Sequence, residues 1–112
     1  MIPSLGRTVL YTLTEDNVTA INRRRCTPNS IASRMQSAPP AWPYGAQAHI
    51  GNEVKAGDIF PLTITRVWNP VEGGSCNGQV WLDGNDCLWV MSVEQSKDDQ
   101  PMPGKWHTPP RV

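Results

Sequence analysis

The segment QVWLDGNDCLWVMSV, residues 79–93, predicts a β-hairpin around which the rest of the chain is organised. Two runs of β-branched and aromatic residues flank the tetrapeptide DGND at 83–86, whose Gly and Asn tolerate the positive φ of a primed hairpin turn. Because side chains alternate along a strand, Val80 and Leu82 share one face of the first strand. The second strand is apolar on both faces, which is typical of a strand buried on two sides or wrapped into a small barrel.

Further strands are predicted on both sides of this hairpin. Residues 6–13 and 59–68 have the alternating pattern of strands, and shorter strands are expected at 46–50 and 105–107. Pro61 lacks a backbone N–H, so we expect it on an edge strand or at the start of a strand.

An α-helix is predicted from about Glu15 to Arg25. Thr14 is a suitable N-cap, and two acidic residues in the first turn favour the positive end of the helix dipole. Pro28 then stops the helix. Residues 30–38 are compatible with a second short helix, and the Pro-rich stretch 39–45 predicts a stiff loop.

These elements predict one domain, residues 1–112, with a helical and loop insertion over about 14–48. The fold class is mostly β with one helical insertion (α+β). Five short strands around a small core suggest an SH3-like barrel or a strongly bent antiparallel sheet.

Composition limits the classes of partner. Ten basic and ten acidic residues cancel, so no net charge attracts the chain to nucleic acid or a membrane surface. No apolar run approaches membrane-spanning length, and the N-terminus lacks the pattern of a signal peptide.

Cys26, Cys76 and Cys87 lack zinc-ligand spacing, so we expect three reduced thiols in a reducing compartment, with no metal and no cofactor.

Motifs for catalysis are absent from the sequence. It contains no Gly-rich phosphate loop, no nucleophile elbow and no His-x-x-x-His pair. His49 and His107 have no Cys, Ser or acidic neighbour in a catalytic pattern, so structural or surface roles are expected for both. The interpretation is a protein that is not an enzyme.

The candidate ligand-binding residues are an arginine cluster and two tryptophans. Arg23, Arg24 and Arg25 form the densest group of charges, and arginine suits bidentate contact with phosphate. Trp42 and Trp106 lie in Pro-rich surroundings, where an exposed ring can stack on a base. The alternative for the arginines is that a helix C-terminus favours cations in any case.

The other three tryptophans, Trp68, Trp81 and Trp89, lie on predicted strands. We expect at least two of them in the core or in a subunit interface. Aromatic residues on both faces of the central strands exceed what so small a barrel can bury, which predicts a homo-oligomer.

Four blocks cover most of the chain: GRTVLYTLTEDNVTAINRRR (6–25), HIGNEVKAGDIFPLTITRVW (49–68), NGQVWLDGNDCLWVMSV (77–93) and GKWHTPPRV (104–112). In these blocks the chain resembles a family of small proteins encoded by tailed bacteriophages and prophages, for which no biochemical function is established. The resemblance implies a viral accessory protein acting in the host bacterial cytoplasm, or a component of the virion. It supplies no catalytic or binding residues.

Three classes of function fit these observations. The first is a non-enzymatic binder of a nucleotide or another small phosphorylated ligand, such as an anti-defence sponge that sequesters a host immune signal. The second is an interaction protein, either a virion component or an inhibitor that docks on a host protein. The third is a nucleic-acid-binding accessory protein, for which the zero net charge is unfavourable.

Overall fold

The computed structural model describes residues 1–26 and 49–110, apart from the side chains of Arg25, Cys26 and His49. The described residues form seven strands, one α-helix and a short 3₁₀ turn, Lys97–Asp99. In chain order these elements are β1 (Thr8–Thr12), α1 (Glu15–Arg24), β2 (Arg25–Cys26), β3 (His49–Ile50), β4 (Ile59–Val67), β5 (Cys76–Trp81), β6 (Cys87–Val93) and β7 (Trp106–His107).

Five of the strands form one antiparallel sheet in the order β6-β5-β4-β1-β7, and β2 and β3 form a separate parallel pair. The predicted class, mostly β with one helix, is therefore confirmed. The ladder of described strands is not closed into a barrel, so the SH3-like barrel stays a prediction. The segment after β6 approaches β7, where Gln95 and Trp106 form an isolated parallel bridge.

The predicted hairpin is confirmed in its pairing but not in its turn. β5 pairs antiparallel with β6, and Trp81 and Cys87 form the last pair before the connection. Neither Gly84 nor Asn85 is among the described residues with positive φ, so the primed turn is wrong. The reason is tertiary: the Asn85 N–H donates to the Ile50 carbonyl at 2.8 Å, and Gly51 bridges Gly84, so β3 shapes the hairpin tip.

The expectation that β6 is buried on two sides is also wrong. β6 is an edge strand of the sheet, with β5 on one side only among the described residues. Val90 and Val93 point into the core, whereas Trp89 and Met91 are 54% and 63% exposed. A register shift opposite Cys76–Gly78, together with a positive φ of 54° at Ser92, turns Val93 back towards the core.

Pro61 was predicted either on an edge strand or at the start of a strand. It lies near the start of β4, which is not an edge strand. It is the third residue of β4, a strand with neighbours on both sides. It pairs with Leu10 of β1, and the ladder to β5 begins one residue later, at Leu62. The missing N–H therefore interrupts no described pair between β4 and β5.

The helix begins and ends within one residue of its prediction. The Thr14 hydroxyl accepts the Asn17 N–H at 3.1 Å, and the Asn17 side-chain oxygen accepts the Thr14 N–H at 3.0 Å. This reciprocal cap satisfies two backbone donors that the helix itself leaves unpaired. The Asn17 oxygen also accepts the Tyr11 hydroxyl at 2.8 Å, and Ile21 is fully buried, so both contacts fix α1 against the sheet.

The core lies on one face of the sheet and is filled by side chains from each of its five strands. The fully buried members are aliphatic, with the exception of Trp106 and Cys76. The core as a whole consists of Val9, Tyr11, Leu13, Ile21, Val54, Leu62, Ile64, Cys76, Val80, Leu82, Val90, Val93 and Trp106. The inward face of each strand is therefore packed, and the opposite face of β4, β5 and β6 carries the exposed aromatic side chains.

Candidate functional site

Arg24 is the arginine of the predicted cluster with described contacts. Its Nη2 donates to the Cys87 carbonyl at 3.0 Å and lies 3.6 Å from the Asp86 carboxylate, so it joins the end of α1 to the start of β6. Arg23, one helical position earlier, is exposed. The side chain of Arg25 and the whole of Trp42 lie outside the described residues, as do the predicted second helix and the Pro-rich loop.

The prediction of Trp106 as an exposed, base-stacking residue is wrong. Its side chain is fully buried, because β7 pairs with β1 and places Trp106 opposite Tyr11 on the core face. A turn at Gly104, whose φ is 80°, directs the chain into this position. The buried indole N–H has no hydrogen-bond partner among the described residues, which is consistent with a packing role rather than a ligand-binding one.

The end of α1 meets β3 and the tip of the hairpin. The Asn52 side chain donates to the Asp83 carboxylate at 2.8 Å, and the Ile50 N–H donates to the Asn85 side-chain oxygen at 2.8 Å. Asn22 of α1 contacts Val54 twice, accepting its N–H and donating to its carbonyl. These contacts bring three segments that are distant in sequence to one end of the sheet, next to Arg24.

The outward side of β4, β5 and β6 forms a continuous aromatic surface, which we call the aromatic face. The pairs Thr63–Gln79 and Gln79–Trp89 form one row across the three strands. The face consists of Thr63, Arg66, Trp68, Asn77, Gln79, Trp81, Cys87, Trp89 and Met91. Trp68, Trp81 and Trp89 are 53%, 52% and 54% exposed, so the expectation that two of them lie in the core is wrong. A subunit interface stays a prediction for them.

Two of the three indole rings are held by hydrogen bonds within the aromatic face. The Trp81 Nε1–H donates to the Thr63 hydroxyl at 2.9 Å, and the Trp68 Nε1–H donates to the Asn77 side-chain oxygen at 2.9 Å. The polar edge of each indole is therefore satisfied by the protein, and about half of each side chain stays in contact with solvent. Fixed rings of this kind stack on a flat ligand with little loss of conformational entropy.

Arg66 provides a cation on the same face. Its guanidinium carbon lies 4.6 Å from the centroid of the Trp68 ring, within the range of a cation–π contact. Arg66 pairs across the strands with Asn77, four residues before Trp81. Since a strand rises about 3.3 Å per residue, the Arg66–Trp68 end lies about 13 Å from Trp81.

Arg24 lies close to the opposite end of the aromatic face. The carbonyl that it contacts belongs to Cys87, and Cys87 is the cross-strand partner of Trp81. Directly paired residues have Cα atoms about 4.5–5.5 Å apart. Arg24 therefore lies across β6 from Trp81: it contacts Cys87 at the outer side of β6, and Trp81 lies on β5. Trp106, the predicted tryptophan whose position is described, lies in the core instead.

A second polar cluster surrounds Asp99. It lies near β7, at the opposite edge of the sheet from β6. Its carboxylate accepts hydrogen bonds from the Thr108 N–H, the Thr108 hydroxyl and the Gln95 side chain. Burial opposes ionisation, but these hydrogen bonds and the nearby charge of His107 outweigh it and lower the pKa of Asp99. His107 is buried, and its Nδ1 has no hydrogen-bond partner within residues 1–26 and 49–110. Asp99 thus fixes the segment after β6 to the end of β7.

The two cysteines with described side chains are both free thiols. Cys76 is fully buried in the core, and burial raises the pKa of its thiol to about 11, so it stays protonated near neutral pH. Cys87 is partly exposed on the aromatic face, where its thiol donates to the Gln79 side-chain oxygen at 3.2 Å. Its packing on the Trp89 face agrees with the alternation of the hairpin.

Other kinds of site have no support in the described part of the chain. Residues 1–26 and 49–110 contain no group of three His, Cys, Asp or Glu side chains placed to hold a metal ion. Nor do these ranges contain a pocket or a helix long and apolar enough to cross a membrane. The exposed aromatic side chains lie on an open sheet face.

The sequence contained a signal for the aromatic face that the prediction did not use. Trp81 stands between Val80 and Leu82, and Trp89 stands between Leu88 and Val90. In a strand with one buried face, such alternation places either the aliphatic pair or the tryptophan in the core. The aliphatic side chains occupy it here, so both tryptophans point outward.

Comparison of the chain with protein-family models, with curated proteins and with solved structures gives no match in any of the three.

Proposed function

We propose that the protein is a non-enzymatic binding protein that holds a nucleotide or a similar flat, phosphate-bearing ligand on the aromatic face. The observation that carries the proposal is the contact of Arg24 with Cys87, the cross-strand partner of Trp81, together with the hydrogen bond from the Trp81 indole N–H to Thr63. The ring then offers its π-face to a base, while the guanidinium faces the phosphate.

The chemistry of Arg24 suits this role. A guanidinium carries five N–H donors, and the contact with Cys87 uses one of its nitrogens. The Asp86 carboxylate at 3.6 Å orients the side chain, although it also competes with a phosphate for the same charge. An arginine–phosphate hydrogen bond contributes about 1.5–3 kcal/mol and a stacked base about 1–3 kcal/mol, so a few such contacts account for micromolar binding.

The biological setting follows from the resemblance to bacteriophage proteins. A viral protein in the host cytoplasm that binds a nucleotide without converting it would act as a sponge for a host immune signal. The second candidate is docking on a host protein or within a virion, and the observation in its favour is the exposure of Trp89 and Met91 at the edge of the sheet. Nucleic-acid binding is the third, against which the zero net charge argues.

Calorimetric titration with cyclic and linear nucleotides and with short single-stranded DNA tests the proposal. The variants are Trp81→Ala and Arg24→Gln, and the matched control is Arg23→Gln, which removes the same charge one helical position away. We expect binding of at least one nucleotide by the wild type and by Arg23→Gln, and a loss of at least about tenfold in both other variants.

The absence of heat with every nucleotide would contradict the proposal and favour docking on a protein. Binding of DNA alone, weakening steeply with salt, would favour the third function. Equal loss in Arg23→Gln and Arg24→Gln would show that binding depends on the general charge at the end of α1 and not on the specific position of Arg24 at Cys87.

A further inference from the structure

The two edge strands of the sheet, β7 and β6, differ in how far their outward backbone N–H and C=O groups are paired within the chain. At the β7 edge, the Ser96 N–H donates to the Trp106 carbonyl at 2.8 Å, and the Trp106 N–H donates to the Glu94 carbonyl at 3.0 Å. That edge is therefore paired by the chain itself, and β7 is only two residues long. β6 is seven residues long and, among the described residues, has a neighbour on one side only.

The sequence of β6, CLWVMSV, lacks the charged residues and prolines that commonly keep an edge strand from pairing with another chain. Trp89 and Met91 are exposed on its outward face. Natural sheets protect a long edge with lysine, proline, a bulge or a covering segment. Here the Arg24 contact at Cys87 and the irregular backbone at Ser92 limit the open stretch to residues 88–91.

The direction of the backbone groups in this stretch follows from alternation. The Cys87 carbonyl accepts Arg24 from outside the sheet, and successive residues of a strand point their backbone groups to opposite sides. The N–H and C=O groups of Trp89 and Met91 therefore point away from β5, while those of Leu88 and Val90 point towards it. Two residues with outward donors and acceptors flank Val90.

We infer that two copies of this chain pair through β6, antiparallel and across a two-fold axis at Val90. In this register Trp89 of each copy lies opposite Met91 of the other, and all four outward groups of both residues are paired. A register centred on Trp89 would instead place Met91 opposite Cys87, whose carbonyl already accepts Arg24. The two aromatic faces then join into one surface, with a Trp89–Met91 contact on each side of the axis.

Pairing through β6 does not depend on the proposed function, since the edge would pair whether or not a ligand binds. In the dimer the two copies share the binding surface, because Trp89 of one copy lies beside Met91 of the second copy at the centre of the joined face. The interface is small, so the dimer is expected to form in the micromolar range of protein concentration.

Sedimentation velocity of the full chain from about 1 to 100 µM protein tests the inference against two lysine variants. Met91→Lys adds a charge at the exposed edge, where it protects the strand from pairing. Gln79→Lys adds the same charge to the same face on β5, the adjacent interior strand. We expect wild type and Gln79→Lys to dimerise, and Met91→Lys to remain monomeric with an unchanged thermal midpoint.

Amide hydrogen exchange gives a second readout. The backbone amides at positions 89 and 91 are expected to exchange at least about tenfold faster in the monomeric variant than in the wild-type dimer, because no described part of the chain pairs with them and a second copy would protect them. A wild-type chain that stays monomeric at the highest concentration overturns the inference. A dimer that Met91→Lys leaves intact overturns the assignment of the interface to β6. Ligand binding by monomeric Met91→Lys would leave the proposed function standing, so the two failures are distinguishable.

Discussion

Substitution of Gly78 by alanine is expected to destabilise the fold severely. Gly78 lies in the middle of β5, opposite Ile64 of β4 and Val90 of β6. A methyl group at its Cα would lie 2.4 Å from Leu62 Cδ2 and 2.6 Å from the Thr63 carbonyl oxygen. Favourable contacts between carbon atoms begin at about 3.5 Å, so both neighbours would have to move.

The magnitude follows from which atoms are crowded. Leu62 is fully buried, and the Thr63 oxygen belongs to the backbone of a central strand, so neither moves without disturbing the sheet. Overpacking of a core costs about 1–3 kcal/mol, and we expect the upper end, about 3 kcal/mol, because one clash is with backbone. For a domain of about 100 residues this loss lowers the thermal midpoint by at least about 10 °C.

Urea unfolding followed by circular dichroism measures this loss, with Gly57→Ala as the control. Gly57 has a φ of 91°, and in the described part of the chain no residue beyond its immediate neighbours comes within 4 Å of the added methyl group, so alanine there meets backbone strain without crowding. Its expected cost is about 1 kcal/mol. A Gly78→Ala protein as stable as the wild type, or more stable than Gly57→Ala, would refute the packing of β5 between β4 and β6.

Three further predictions concern the N-cap of α1, the loss of folding stability at low pH and the reactivity of the thiols. Thr14→Ala should lower the free energy of unfolding by about 1 kcal/mol, measured in urea, whereas Thr14→Ser should retain the cap; equal losses would contradict the capping role. Because the pKa of Asp99 is lowered in the folded state, its contribution to stability is present above its ordinary pKa of about 3.9 and is lost as the pH falls through the lowered value. The unfolding free energy of Asp99→Asn should therefore fall less steeply than that of wild type below about pH 4, and identical slopes would argue against the Asp99 contacts. Iodoacetamide should modify Cys87 before Cys76 in the native protein, since Cys76 is buried with a pKa raised to about 11; peptide mapping that finds Cys76 modified first would contradict this.

Local patterns were sufficient to predict the elements of this fold. The Thr14 cap, the acidic first turn and the arginines at its end defined α1 almost to the residue. The alternation of residues 79–93 defined the antiparallel hairpin, and the same reasoning found β1, β4 and β7. These features depend on neighbours within a few residues, which is the range over which sequence patterns are informative.

The errors came from tertiary neighbours that no local pattern contains. The turn at 83–86 is shaped by β3, more than thirty residues earlier in the chain, so its Gly-Asn signal for a primed turn did not decide its geometry. Trp106 follows a Pro-rich stretch that suggested an exposed loop, but pairing with β1 buries it. The outward tryptophans were assigned to the core or an interface on hydrophobicity alone, although which face of a strand is buried depends on what packs against it.

The candidate site was predictable in its chemistry but not in its members. The pairing of arginine with tryptophan was expected, and Arg24 was among the predicted residues. Trp81, across β6 from Arg24, and the second cation, Arg66, become visible as site residues only when the strands are placed side by side. Cross-strand proximity of this kind depends on register, which the sequence of one strand does not specify.

Native mass spectrometry of the protein purified from bacterial cells, with and without added nucleotides, tests whether the aromatic face holds a ligand. We expect a two-chain species carrying a phosphate-bearing ligand, with the ligand lost in Trp81→Ala and retained in Arg23→Gln. Wild-type protein without any nucleotide adduct under either condition, or an adduct that Trp81→Ala retains in full, would contradict the claim that the aromatic face beside Arg24 binds the ligand.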